Sequence, residues 1–232
     1  VLEPRDSRRA RPRGEHCALI TGGVNDAAPA IADRLAAQGA KVALLLHDAT
    51  SEAQKTCEAI CATGAQAIAL PHDTLAHDAL RRVEDLFGAS VDILVHQAPL
   101  TFSPEAFQTL SWSTIQNQLD LNLRAAFEYS QAVLPGMLQR GSGSIVHIGS
   151  TFTWSVPPLH WTAFCVAKSA LKALARGLAV ELGPKGIRVN LVSPGLPELG
   201  LSEDVTERFR KLQAMQSPLR RLASVDDVAS AV

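Results

Sequence analysis

Short runs of Val, Ile and Leu that are apolar at every position recur along this 232-residue chain, and each is followed by a stretch with helical period. No other feature constrains the fold as much. A strand with one wet face alternates polar and apolar residues, whereas a strand that is apolar throughout must be covered on both sides, as in parallel sheets flanked by helices. The pattern predicts strands at His16–Thr21, Lys41–Leu46, 65–70, 91–95, 144–148 and 187–192. Helices are predicted at Ala27–Gln38, 51–63, 75–87, near 112–139 and near 162–182. Strands joined through helices in this way give an α/β chain with a single doubly wound parallel sheet.

Composition sets the outer limits. A chain with 47% hydrophobic and 19% charged residues is an ordinary globular protein, not a disordered or collagen-like one. Its apolar stretches, Val42–Leu46 among the longest, fall far short of the roughly 18–20 residues of a membrane span. A net charge of −1 argues against nucleic acid as a partner. The charge is uneven, because Arg5, Arg8, Arg9, Arg11 and Arg13 crowd the start against Glu3, Asp6 and Glu15. The expected organisation is a basic, flexible lead-in or linker over 1–15 and one Rossmann-type domain over 16–232. There is no apolar signal segment, and Cys17, Cys57, Cys61 and Cys165 lack the two-residue spacing of metal or redox motifs. Cytoplasmic, reduced thiols are expected, with Cys57 and Cys61 on one helix face for packing. His72, His77 and His147 are scattered, so no metal site is expected.

In doubly wound sheets ligands bind outside the carboxyl ends of the strands. The first such loop is Thr21-Gly22-Gly23-Val24-Asn25-Asp26-Ala27-Ala28. Glycines there let backbone approach a pyrophosphate at a helix start. Gly22 and Gly23 meet that need, while Asp26 would place a carboxylate where a phosphate would bind.

Further ordered segments are Asp73 after the third strand, I-L-V-H-Q-A-P at 93–99, L-N-L at 121–123, G-S-I-V-H-I-G-S at 143–150, F-C-V-A-K at 164–168 and G-I-R-V-N-L-V-S-P-G at 186–195. With T-G-G at 21–23, these make residues 16–232 resemble a classical short-chain dehydrogenase/reductase, especially the ketoacyl-carrier-protein reductase type. That resemblance implies a site of Asn122, Ser150 and Lys168, with Phe164 standing where the family carries its proton-donating tyrosine. The chain has one tyrosine, Tyr129, which lies elsewhere on the long helix. The family's other tyrosine placement, seven residues before the lysine, holds Trp161.

The resemblance also assigns cofactor contacts to Thr21, Gly22, Asn25, His47, Asp73, Pro194 and Gly195. It implies NADP(H), favoured through His47, if a cofactor binds, because Leu46 replaces the aspartate of NAD-type enzymes. Asp26 and Ala28 replace two loop glycines, and Leu199 replaces a carboxamide-binding threonine. Taken singly, Asn122 can tie down a helix irregularity, Lys168 can be a partly exposed helix residue, and Ser150 and Asp73 can be caps.

The combined substitutions lead us to expect a redox-inactive binding, scaffolding or oligomerising module, with a place in a larger synthase as one form of it. The alternative is an NAD(P)H-dependent oxidoreductase reducing a ketoacyl-type carbonyl, with water or His160 as proton donor. A weaker alternative is non-redox dehydration or cyclisation in the same pocket. Homo-oligomers through the two long helices, and contacts to other domains of a longer polypeptide, are the expected partners. A last strand should follow the helix opening at Ser224, yet the sequence stops at Val232.

Overall fold

The computed structural model describes residues 16–23, 27–47, 50–71, 74–99, 103–196 and 206–232. In chain order its elements are β1 (Cys17–Gly22), α1 (Ala28–Ala37), β2 (Lys41–Leu46), α2 (Thr50–Ala62), β3 (Ala67–Leu70), α3 (Ala76–Phe87) and β4 (Ile93–His96). There follow α4 (Trp112–Leu119), α5 (Ala125–Arg140), β5 (Gly143–Ile148), α6 (Thr162–Leu182), β6 (Ile187–Val192), α7 (Glu207–Gln216) and α8 (Val225–Ala231). Each element read from the sequence is present within two residues of its expected limits, with one correction. The helix expected near 112–139 is interrupted by a π-helical turn, Asp120–Arg124, between α4 and α5. The lead-in over 1–15 lies outside the described residues.

The strands form one parallel sheet in the order β3-β2-β1-β4-β5-β6. Successive residues of each strand point to opposite faces, so one apolar run feeds two cores. Leu19, Leu45, Leu94 and Ile145 pack under α3, α5 and α6. Ile20, Leu44, Val95 and Val146 pack under α1, α2 and α8 on the other side. Strand order reverses between β1 and β4, which opens a crevice at their carboxyl ends.

The amino ends are tightly tied. Buried Asp92, just before β4, accepts the Cys17 backbone N–H at 2.9 Å and sits 3.0 Å from His16 Nδ1. Gly186, before β6, has φ +84°, and a Cβ there would lie 2.1 Å from the Gly141 carbonyl oxygen. Among the described residues the sheet ends at β6, which alternates buried Ile187 and Val189 on one face with exposed Arg188 and Asn190 on the other. Arg188 donates to Ser144 Oγ at 3.0 Å. No helix among the described residues is long and apolar enough to cross a membrane.

Candidate active site

At the end of β1 the Thr21 hydroxyl lies 2.9 Å from His96 Nδ1 on β4, pinning the two strands at the crevice. Gly22 is obligatory for packing, since a Cβ there would come within 2.5 Å of the Ala28 methyl at the start of α1. The glycine-to-alanine change at 28 therefore uses the space left by Gly22 and keeps strand and helix close. His47, partly exposed after β2, donates its backbone N–H to the Gly22 carbonyl at 2.7 Å. Asn25 and Asp73, assigned to cofactor binding, lie outside the described residues, as do Asp26 and Leu199.

Three residues assigned to chemistry converge beside this crevice. Lys168 is not a partly exposed helix residue: it is 4% exposed, and its ammonium donates to the Ile148 carbonyl at 2.9 Å. An ammonium buried this deeply requires such a partner. Ile148 ends β5, and two residues on the buried Ser150 hydroxyl accepts the Phe152 N–H at 3.3 Å, capping the 3₁₀ turn Thr151–Thr153. Asn122 occupies the π-helical turn that packs on α6, and its Nδ2 donates to the Gln118 carbonyl at 2.9 Å. The irregularity expected around Asn122 is thus real, and such turns recur at functional sites. Phe164, in the first turn of α6, places its ring 5.7 Å from Lys168 Nζ. His160 is exposed, with φ +69°, and Trp161 rather than His160 enters the buried cluster beside Phe164.

Pro194 and Gly195 lie on the loop after β6, where the Pro194 carbonyl accepts the Thr151 N–H at 3.0 Å. The site loop and the β6 loop are thereby held together. Among the described residues, the buried atoms Gln97 Oε1, Asn122 Oδ1 and Ser193 Oγ have no protein partner. Buried polar atoms are almost always satisfied, so these mark places for water or ligand.

A buried histidine pair escaped the sequence reading. His96 and His147 face each other in the β4–β5 register with ring centroids 5.9 Å apart. His147 Nε2 lies 3.5 Å from Ser130 Oγ, while His147 Nδ1 is unpartnered among the described residues. Burial, then the neighbouring His147 and Lys168, hold His96 well below the usual imidazole range. Burial, then Lys168, brings His147 down to about 4. The signal was the repeated Val-His that closes or nearly closes two apolar strands, at Val95-His96 and Val146-His147. Tyr129 is remote from acid duty: its hydroxyl donates to the Thr74 carbonyl at 3.2 Å, and burial, with Glu128 beside it, pushes it up to about 12. Among the described residues no cluster of His, Cys, Asp or Glu could hold a metal.

A parallel sheet with a crevice at its strand-order reversal, beside a buried Ser–Lys–Asn set, defines the class of Rossmann-type dehydrogenases and reductases. A family model described as enoyl-(acyl carrier protein) reductase matches residues 25–232. The human protein named dehydrogenase/reductase SDR family member 4 is 30% identical over 97% of this chain and 82% of its own length. The Vibrio cholerae 3-oxoacyl-(acyl-carrier-protein) reductase is 31% identical over 93% of this chain and 87% of its own. A Burkholderia cenocepacia short chain dehydrogenase solved in complex with NADP superposes with a TM-score of 0.84 at 33% identity, covering 95% of this chain and 90% of that one. The chain belongs to the short-chain dehydrogenase/reductase family.

Proposed function

We propose that the protein is an NADP(H)-dependent oxidoreductase acting on a carbonyl or the corresponding alcohol, with water as the proton donor in place of the family's phenol. The observation that carries this reading is Lys168, buried and fixed on the Ile148 carbonyl two residues before Ser150. An inert scaffold has no use for a desolvated ammonium at this spot. The relatives, by name dehydrogenases and reductases, favour the same reading over a redox-inactive module.

The dinucleotide would lie in the crevice at the carboxyl ends of β1 and β4. The Thr21-Gly22 backbone, His47, Pro194 and Gly195 are the contacts the family resemblance assigns to it, and Gln97 and Ser193, which follow β4 and β6, bring buried oxygens with no protein partner among the described residues. When bound, the nicotinamide would supply hydride. Ser150 would hydrogen-bond the carbonyl oxygen, and the Lys168 ammonium would favour negative charge developing there. The proton would arrive from water, because Phe164 has no hydroxyl and His160 is exposed outside the cluster.

We also propose a homo-oligomer built on the long helices. Its support is the apolar surface along them, where Trp112 is 69% and Val180 76% exposed, with Phe127 and Val166 between. Light scattering showing a stable monomer at micromolar concentration would remove this part.

The deciding experiment for the activity is calorimetric titration with NADPH and NADH, followed by coenzyme oxidation with small ketones. Micromolar NADPH binding and slow turnover are expected. Binding of neither coenzyme at millimolar concentration refutes the reading.

A further inference from the structure

Beneath the π-helical turn, polar side chains lie buried together on one face of the sheet. Side chains alternate along β4 and β5, so His96 and His147 share the face of Leu94 and Ile145 that α5 and α6 cover. His96 is 2% exposed. The Tyr129 ring of α5 stacks on it at 6.2 Å and 28°, and His147 meets it edge-on from β5. Held between them, the imidazole makes two polar contacts. Its Nδ1 lies 2.9 Å from the Thr21 hydroxyl at the end of β1, and its other nitrogen faces the Asn122 backbone carbonyl in the π-helical turn. One tautomer serves both, with a proton on Nε2 for the carbonyl and a lone pair on Nδ1 for the hydroxyl. Burial, then His147 and Lys168, keep the ring neutral and so preserve that tautomer.

The two contacts do different work. The first ties β4 to β1 within the sheet. The second reaches out of the sheet to the turn between α4 and α5, where an inserted residue takes the backbone out of the α-helical ladder. A buried carbonyl that leaves that ladder needs a donor from elsewhere. The same turn packs on α6, the helix of Lys168. Asn122 is itself 2% exposed; its Nδ2 donates to the Gln118 carbonyl, and its Oδ1 has no protein partner among the described residues. The direction of that amide oxygen follows the turn, and the imidazole fixes the turn from the sheet side.

We propose that His96 is a positioning residue, which acts through the Asn122 carbonyl to hold the π-helical turn, and with it the Asn122 amide oxygen, against the helix of Lys168. This rests on the reading of the protein as an oxidoreductase with water as proton donor, for which Asn122 Oδ1 offers a buried acceptor.

A glutamine amide nitrogen reaches as far as Nε2 and an asparagine one only as far as Nδ1. His96→Gln therefore keeps the contact to Asn122, and His96→Asn keeps the one to Thr21. Both variants are compared with the unaltered chain by NADPH-dependent reduction of ethyl acetoacetate, calorimetry with NADPH, and hydrogen exchange of the amides at 120–125. In His96→Asn, kcat is expected to fall and exchange in the turn to quicken by about 10-fold each, the weight of one hydrogen bond, with KM, NADPH affinity and exchange of α3 unchanged. His96→Gln should stay near the unaltered chain in every readout. His96→Leu, which fills the space with neither contact, replaces the asparagine variant if that one does not fold. Equal kcat and turn exchange in the two variants, a loss confined to His96→Gln, or a KM that rises as kcat falls overturns the proposal. Exchange needs no turnover, so an unaltered chain that binds no NADPH refutes the oxidoreductase reading while the exchange still tests the hold of His96 on the turn.

Discussion

The two ends of the sheet solve opposite problems with the same kinds of residue. At the amino ends Asp92 meets both a backbone N–H and His16, and Lys41 donates to the Phe87 carbonyl at 2.9 Å. At the carboxyl ends and the loops that follow, Gln97 Oε1, Asn122 Oδ1, His147 Nδ1 and Ser193 Oγ have no protein partner among the described residues. Satisfied polar groups hold a fold together, whereas buried unsatisfied ones wait for something the chain does not supply. The difference separates the part of this molecule that gives stability from the part we propose to bind.

The strongest way to sharpen that contrast is at Phe164. Introducing a hydroxyl with Phe164→Tyr should raise turnover by about 100- to 10,000-fold, the usual contribution of a positioned general acid, and steady-state kinetics read it directly. An unchanged rate would break the assignment of this end to catalysis.

Acid should expose the next difference. His96 and His147 are neutral when folded and their proton affinity rises on unfolding, so the unfolded chain binds more protons below the ordinary imidazole value of 6.5. Stability is therefore full above about pH 6.5 and falls as pH drops, by about 1.4 kcal/mol per unit for each histidine. For His147, whose folded value is about 4, the loss is on the order of 3 kcal/mol by that pH. Urea melts of His147→Asn between pH 7 and 4 should show a shallower decline than wild type. Parallel declines would dissociate the histidines from acid sensitivity.

Asp92→Ala tests the other end. It strands a buried N–H and should cost about 2–3 kcal/mol in a urea melt while coenzyme affinity stays unchanged. A matching loss of affinity would mean that the ends are not separable. The smallest effect is expected at Ser224→Ala, which removes the capping box of α8 and should cost about 1 kcal/mol.

The architecture was legible because uniformly apolar runs such as Lys41–Leu46 have little alternative to a sheet covered on both faces. Helical period could not reveal the π-helical turn, since one extra residue at Asp120–Arg124 disturbs the phase without breaking the apolar pattern. The position of Lys168 followed from the F-C-V-A-K segment, but its burial did not, because only folding brings the Ile148 carbonyl to its ammonium. The histidines looked scattered since His96 and His147 become neighbours only through β4–β5 pairing. Within the segment from Leu196 to Pro218, mixed Glu, Arg and Met concealed α7, although Thr206 caps it by accepting the Phe209 N–H.

The β5–β6 register also bears on how the surface of the sheet meets solvent. Arg188 lies directly across the ladder from Ser144 and donates to its hydroxyl at 3.0 Å, so the exposed guanidinium is drawn inward over β5. Its partner is neutral, so this contact, unlike an exposed ion pair, has little to lose when salt screens charge.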